Sequence, residues 1–497
     1  MKKKKITLLN IISSMILQIT TIISYFIIPK IILSYFGSSV NGLISSLNQF
    51  LNFITLIEGG ITGVILANLY SPLENNEIDK VSSILSTSRT FYKKIGIIYI
   101  VYSILLGIIY PIFSNSEFSF NYIFSLTLIL SINLFVQYMF AVTNKSLLNA
   151  DKKVYIVNFT QTIMIIINLV LSFISVKIYP NIHVLKLISG ILYFLQPIVY
   201  NKYIKLNYEI NYNARTDMNL IKQRWNGFAI NVAAFIHMGT DIAILTVFTN
   251  LYTVSIYSVY TLVTSGLRQI INAISSAIVP TVGRAYATKD EKVINEKFDL
   301  YEYIIFILVF MLFSISILLI NPFVVLYTRN INDVNYYQPM FGYIILLSEA
   351  FYLIKFPHLN LAYSANKFKE ITIPAYIEAF INVIISIILV NKFGLIGIAI
   401  GTLIAMIYRM IFQVKFTSQL IKSRRQVYFY KKMLIFFCSS LIGILLSKSI
   451  YSLNDITLFN WIIAGVIYSI IFIVIILLTS LIFFKKEIKY LIRYIKK

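Results

Sequence analysis

The chain has 497 residues, of which 58% are hydrophobic and 13% charged, with 43 Lys and Arg against 20 Asp and Glu and a formal net charge of +23. Soluble domains run nearer a quarter charged, so this composition excludes an ordinary soluble enzyme and points to a chain built for a bilayer. The single cysteine, Cys438, excludes a disulfide framework.

A spanning helix needs about 20 mostly apolar residues. Fourteen stretches qualify: 6–35, 39–70, 89–113, 119–148, 153–178, 182–203, 222–249, 252–286, 300–327, 337–363, 369–390, 394–420, 430–450 and 457–484. Some exceed a minimal span, which predicts tilt or a portion outside the bilayer. Placing Met1 in the cytoplasm puts 34 of the 43 cations on the inner side and six at the outer ends; three, Arg268, Lys355 and Arg409, remain within spans. Such a split follows the positive-inside rule and places both termini in the cytoplasm. The net charge therefore reports orientation and attraction to anionic membrane lipids rather than nucleic acid. The lysines at 2–5 do not head a signal peptide: the apolar stretch behind them is too long and no small-residue cleavage site follows. The gaps between spans are too short to fold as domains, so any function must lie among the helices.

A shift of about 216 residues lays Ala67-Asn68-Leu69-Tyr70 on Gly283-Arg284-Ala285-Tyr286. A shift of about 215 lays Leu148-Asn149-Ala150-Asp151-Lys152 on Tyr363-Ser364-Ala365-Asn366-Lys367. A repeat of this kind predicts two like-oriented lobes. The expected architecture is all-α and polytopic, with six-helix lobes at 1–206 and 207–421 around a central cavity, then two added helices and a basic tail at 422–497.

Polar residues recur at helical spacing on four spans. The first carries Asn10, Ser14, Gln18, Thr21 and Tyr25; the second Asn41, Ser45, Asn48, Asn52, Thr55 and Gly59. The seventh carries Gly227, Asn231, Ala234, Met238 and Asp241, with His237 a turn before Asp241; the eighth carries Thr261, Ser265, Arg268, Asn272 and Ser275. Either these faces glue helices together, or they line a polar cavity where spans 1, 2, 7 and 8 meet. Gln18, Asn48, Asn52, Asn231 and Asn272 are then the candidate substrate-binding amides.

Arg268 sits near mid-span, where an arginine costs about 2.5–3.5 kcal/mol on insertion scales. Its fork binds phosphate oxygens two at a time, so it either contacts an anionic head group or forms a structural ion pair. Glu58 and Asp241 either pair with Arg268 or carry a coupling proton or sodium ion. His237 and Asp241, four apart, either share a proton or form a static pair. Glu349, Lys355, Glu378 and Arg409 form a second set, with Lys355 level with Glu378 and Glu349 level with Arg409; structural pairing is the favoured reading over substrate contact. Gly59-x-x-x-Gly63 and Gly397-x-x-x-Gly401 predict close helix packing. The sequence has no Gly-Lys phosphate loop and no metal-ligand spacing, and no cofactor or catalytic residue stands out.

Several stretches resemble the polysaccharide transporters, the O-antigen-type flippases of the multidrug/oligosaccharidyl-lipid/polysaccharide exporter superfamily. They are Tyr35-Phe36-Gly37 through Val40-Asn41-Gly42-Leu43, Leu56-Ile57-Glu58-Gly59-Gly60 and Leu69-Tyr70-Ser71-Pro72-Leu73. Two more are Leu147-Leu148-Asn149-Ala150-Asp151-Lys152 and Lys392-Phe393-Gly394-Leu395-Ile396-Gly397-Ile398-Ala399-Ile400-Gly401-Thr402. The resemblance implies alternating access by two six-helix lobes. It implies movement of a polyprenyl-diphosphate-linked oligosaccharide across a bacterial cytoplasmic membrane, with other polysaccharide-assembly proteins as partners. Related peptidoglycan-precursor flippases have a cationic cavity, a theme that Arg268 fits, although the first two spans here carry no mid-membrane arginine. Drug exporters of the superfamily use an acid on the first helix, which this span lacks. The competing readings are a cation-coupled drug or small-molecule exporter and, less favoured, a membrane enzyme of glycan assembly.

Overall fold

The computed structural model of the protein describes residues 2–58, 60–114, 116–218 and 239–495, and their regular secondary structure is entirely helical. Eleven of the helices are long and apolar enough to cross a membrane, which makes this a multi-pass membrane protein. Their outward faces agree. Down the helix Leu458–Phe483, Ile462, Val466, Ile470, Ile473, Leu477 and Leu481 are all exposed, an apolar stripe that water would not tolerate and lipid requires.

The chain divides into two compact units, one of residues 1–235 and 249–255, the other of residues 236–248 and 256–497. The first unit contains α1 (Lys2–Leu51), α2 (Ile61–Glu74), α3 (Ile78–Phe113), α4 (Phe120–Val136), α5 (Val142–Ala150), α6 (Val154–Ile178), α7 (Ile182–Leu192) and α8 (Leu195–Asn207). Its core is built on α3, where Tyr92, Tyr99 and Tyr110 are fully buried at helical spacing. Their hydroxyls need partners in an apolar bundle; Tyr110 meets Ser46 Oγ at 2.8 Å, and the half-buried Tyr102 donates to the Phe50 carbonyl at 2.6 Å. Local signals set the helix ends. Asn181 caps α7 by accepting from the amides of His183 (2.9 Å) and Val184 (3.4 Å).

The second unit contains α9 (Gly239–Phe248), most of α10 (Leu251–Ala287), α11 (Glu291–Tyr327), α12 (Pro339–Ile354), α13 (Phe356–Ser364), α14 (Phe368–Leu420), α15 (Gln426–Ile450), α16 (Leu458–Phe483) and α17 (Lys485–Ile495). Asp290 caps α11 through the amides of Lys292 (2.8 Å) and Val293 (3.3 Å).

Two helices are too long for one crossing. At about 1.5 Å per residue, the 50 residues of α1 and 53 of α14 each exceed twice the hydrocarbon thickness. Both turn at a glycine with positive φ, Gly37 (82°) and Gly394 (53°), a conformation that L side chains resist. In α14 the chain doubles back on itself. A Cβ on Gly397 would lie 2.5 Å from the Leu389 carbonyl oxygen, and one on Gly401 would lie 2.9 Å from the Ser386 nitrogen. The expected spans 11 and 12 are thus an antiparallel hairpin closed by Gly397 and Gly401. In the other small-residue motif Gly59 lies outside the described residues, and nothing lies within 4 Å of a Cβ built on Gly63, so close packing is not what that glycine provides. The expected second span is interrupted by a 3-10 turn at Asn52–Ile54 and by Gly60 in the left-handed region (φ 81°). The expected seventh span falls largely outside the described residues, with Gly239–Phe248 its described helical part.

Candidate functional site

In the second unit, five charged residues form one connected network. Arg268 on α10 places Nε 2.7 Å from Oε1 of Glu349 and Nη2 2.5 Å from Oε2, a fork-to-fork pair with α12. Tyr352, one turn along α12, lies under both cations: the Arg268 guanidinium is 5.2 Å from its ring centre and the Lys355 ammonium 4.5 Å. Lys355 reaches Glu378 at 3.4 Å, and Arg409 reaches the other oxygen of Glu378 at 3.2 Å and the Ile371 carbonyl at 3.1 Å. Lys355 can do this because α12 ends there and α13 begins, at Phe356-Pro357.

The geometry corrects two expectations. Glu349 pairs with Arg268 rather than standing level with Arg409, and Glu378 serves Lys355 and Arg409 together. The set of four is therefore not a self-cancelling group. It joins Arg268 in a ladder of three cations and two carboxylates. Arg268 is also not paired with Glu58 or Asp241; Glu349 fills both arms of its fork.

Asp241 lies on α9 and is buried. Its Oδ2 accepts from Tyr257 (2.8 Å) and from Thr402 (3.0 Å). Thr402 in turn accepts from the Asn382 amide at 3.0 Å, and the Asn382 carbonyl takes a bond from Thr240 at 3.3 Å. One carboxylate set among neutral hydroxyls and an amide, drawn from α9, α10 and both arms of the α14 hairpin, can hold a proton or a small monovalent cation. Tyr257, Asn382 and Thr402 were not singled out from sequence; the signal was a polar residue facing inward on each arm of an apolar hairpin. His237 and Asn231 lie outside the described residues.

In the first unit, Glu58 ends the short helical turn Thr55–Glu58, just before the Gly60 break. Its carboxylate meets the hydroxyls of Thr62, Tyr92 (3.3 Å) and Tyr138 (3.4 Å). Tyr138 belongs to a π-helical turn, Gln137–Ala141, and its ring stacks on Tyr92 with centroids 6.1 Å apart. Helix breaks and π turns relax the backbone where polar side chains must be aimed.

The polar stripes divide between packing and open faces. Asn10 donates to the Lys152 carbonyl (2.8 Å) and accepts from the Tyr155 amide (2.9 Å), and Asn158 donates to Ser13 (3.1 Å) and Ser14 (2.9 Å). The N-terminal part of the first stripe thus glues α1 to the start of α6. Gln18 is half-buried on the same helix, while Asn48, Asn52 and Asn272 are exposed. On α10, Ser275 is turned inward to Tyr301 and Asn360.

A second charged cluster, missed in the sequence, closes the tail end of the second unit. Glu302 on α11 is fully buried and meets Arg424 (2.6 Å), Lys432 (2.8 Å) and His358 (3.2 Å); Asp299, one turn away, meets Arg424 at 2.6 Å. Its sequence signal was two acids three residues apart just before the apolar run of α11, set against Arg424 and Lys432 far along the chain. Among the described residues no group of three His, Cys, Asp or Glu could hold a metal ion.

No family model and no curated protein matches the sequence. Solved structures do match the fold. The lipid II flippase MurJ in an inward closed conformation aligns with a TM-score of 0.74 at 18% identity, over 97% of this chain and 100% of that one. An inward-facing multidrug resistance MATE family transporter of the MOP superfamily aligns at 0.68 with 12% identity, over 81% and 96%. The MATE multidrug transporter DinF-BH aligns at 0.63 with 15% identity, over 85% and 97%. The chain has the fold shared by these transporters.

Proposed function

We propose that this protein is a flippase that moves a polyprenyl-diphosphate-linked oligosaccharide from the inner to the outer leaflet of a bacterial cytoplasmic membrane by alternating access, with both termini cytoplasmic. The observation that carries this reading is the ladder of Arg268, Lys355 and Arg409 on Glu349 and Glu378, intramembrane charge that is expensive unless it is used. In the ladder, Arg268 is the cation with a replaceable partner. A diphosphate presents the same paired oxygens that Glu349 presents, so the head group can exchange for the carboxylate at little cost in hydrogen bonds. The amides Gln18, Asn48, Asn52 and Asn272 would meet sugar hydroxyls, as would Asn231. Asp241, in its nest of hydroxyls, is the proposed coupling residue for a proton or sodium ion, with Glu58 the second candidate.

Likeness of fold to multidrug transporters makes export of a drug or other small molecule the competing reading. One assay separates them. Depletion of the protein should trap lipid-linked glycan on the inner leaflet, and wild-type protein should restore it to the outer leaflet. Normal glycan flipping in depleted cells would refute the flippase.

A further inference from the structure

Lys186 is a cation without a partner. It lies in the second turn of α7, and among the described residues no hydrogen bond, ion pair or charged neighbour engages its ammonium. Half-buried at the edge of a cavity, such a group is suited to take an anion.

It faces a cavity of 290 Å³ in the first unit, lined also by Asn48, Asn133, Asn168, Ser189 and Tyr193. An adjoining cavity of 190 Å³ shares Tyr25, Asn168, Ser189 and Tyr193 with it and extends to Thr21. Asn168 accepts from Ser189 (2.8 Å) and Asn133 accepts from Gln137 (2.7 Å). With one lone pair of each carbonyl oxygen engaged, both amides still carry N–H donors, one of those on Asn133 being directed at the Tyr193 hydroxyl. Neither cavity has a carboxylate in its lining. The pocket therefore offers donors, two tyrosine rings and one positive charge, and repels a cationic ligand.

We propose that this pocket binds an acidic sugar unit: hydroxyls on the asparagine amides, the apolar ring face against Tyr25 or Tyr193, and a carboxylate or phosphate substituent on Lys186. Assigning that sugar to a transported glycan rests on the flippase reading; the binding site itself does not.

The test is saturation-transfer NMR on the full-length protein in nanodiscs of neutral lipid, with glucuronate, glucose and inorganic phosphate as probes. Glucuronate should bind, and Lys186→Met should weaken it roughly tenfold or more, the size expected for losing one charge-assisted contact. Lys186→Arg should retain binding, and Asn168→Ala should weaken glucose and glucuronate alike. Absence of glucuronate binding to the wild type, or binding unchanged in Lys186→Met, would overturn the site. So would phosphate binding as tightly as glucuronate with Asn168→Ala silent, since that describes a bare anion site. Glucuronate binding without lipid-linked glycan flipping would count against the flippase reading alone. Flipping of a neutral glycan without glucuronate binding would count against this pocket alone.

Discussion

Arg268 and Glu349 meet through two parallel contacts, 2.7 and 2.5 Å, across two membrane helices. Breaking a buried pair by removing one partner typically costs about 3–5 kcal/mol, because the other charge is left uncompensated. Arg268→Ala alone should therefore lower the yield of folded protein. The double variant Arg268→Ala/Glu349→Ala should recover that yield, measured by size-exclusion chromatography in detergent. If Arg268 holds the diphosphate, the recovered double variant still fails to flip. Flipping by the double variant would reduce the pair to a structural one.

Arg268→Lys sharpens this. Lysine keeps the charge but cannot make the two-armed contact. A fall in flipping of roughly ten- to a hundredfold at normal yield is expected, since a lost charge-assisted bond is worth about 1.5–3 kcal/mol. Flipping at the wild-type rate would show that only charge matters at this position.

Asp241 accepts from Tyr257 and Thr402 through one oxygen, on helices from three parts of the sequence. Asp241→Asn keeps the shape and removes the charge that attracts a proton or sodium ion. It should abolish the dependence of transport on an ion gradient in proteoliposomes, while Thr402→Ala should weaken it. Gradient-driven transport unchanged in Asp241→Asn would remove this residue from coupling and turn attention to Glu58→Gln.

The helical, membrane-spanning nature of the chain was legible because about 20 apolar residues in a row leave few alternatives, and the hairpin at Gly394 was legible as two spans. What the sequence left open was which charge meets which. Arg268 and Glu349 are 81 residues apart, and depth counted along each helix placed Glu349 beside Arg409 instead. Depth ignores azimuth: α12 turns Glu349 toward α10 and, six residues on, turns Lys355 toward α14. The helical period also identified the stripe on the first span without saying what it faced. Asn10 and Ser14 met α6 and its entry, which only tertiary packing decides.

The Glu302 cluster yields a stability prediction that is independent of function. Its carboxylate is fully buried between Arg424 and Lys432, which tie the start of α15 and the turn before it to α11. Glu302→Gln keeps a hydrogen-bonding group of the same size but leaves two cations facing each other, with the partly exposed Asp299 and a longer contact from Glu487 to Lys432 (3.9 Å) to balance them. It should lower the melting temperature in detergent by more than Asp299→Asn does. An Asp299→Asn effect of equal or greater size would show that the more exposed acid carries the cluster.

Gly401 gives the most local test. A Cβ there would stand 2.9 Å from the Ser386 nitrogen and 3.2 Å from the Asn382 carbonyl oxygen, both backbone atoms of the opposing arm. Backbone cannot rotate away as a side chain can, so Gly401→Ala must part the two arms of α14. Asn382 and Thr402, joined at 3.0 Å across the same arms, would separate with them and loosen the surroundings of Asp241. Overpacking of this kind costs about 1–3 kcal/mol. Gly63→Ala, with nothing within 4 Å, is the matched control and should leave the melting temperature unchanged or slightly raised. Equal thermal stability of the two variants would mean that the arms of α14 are not held at this closeness.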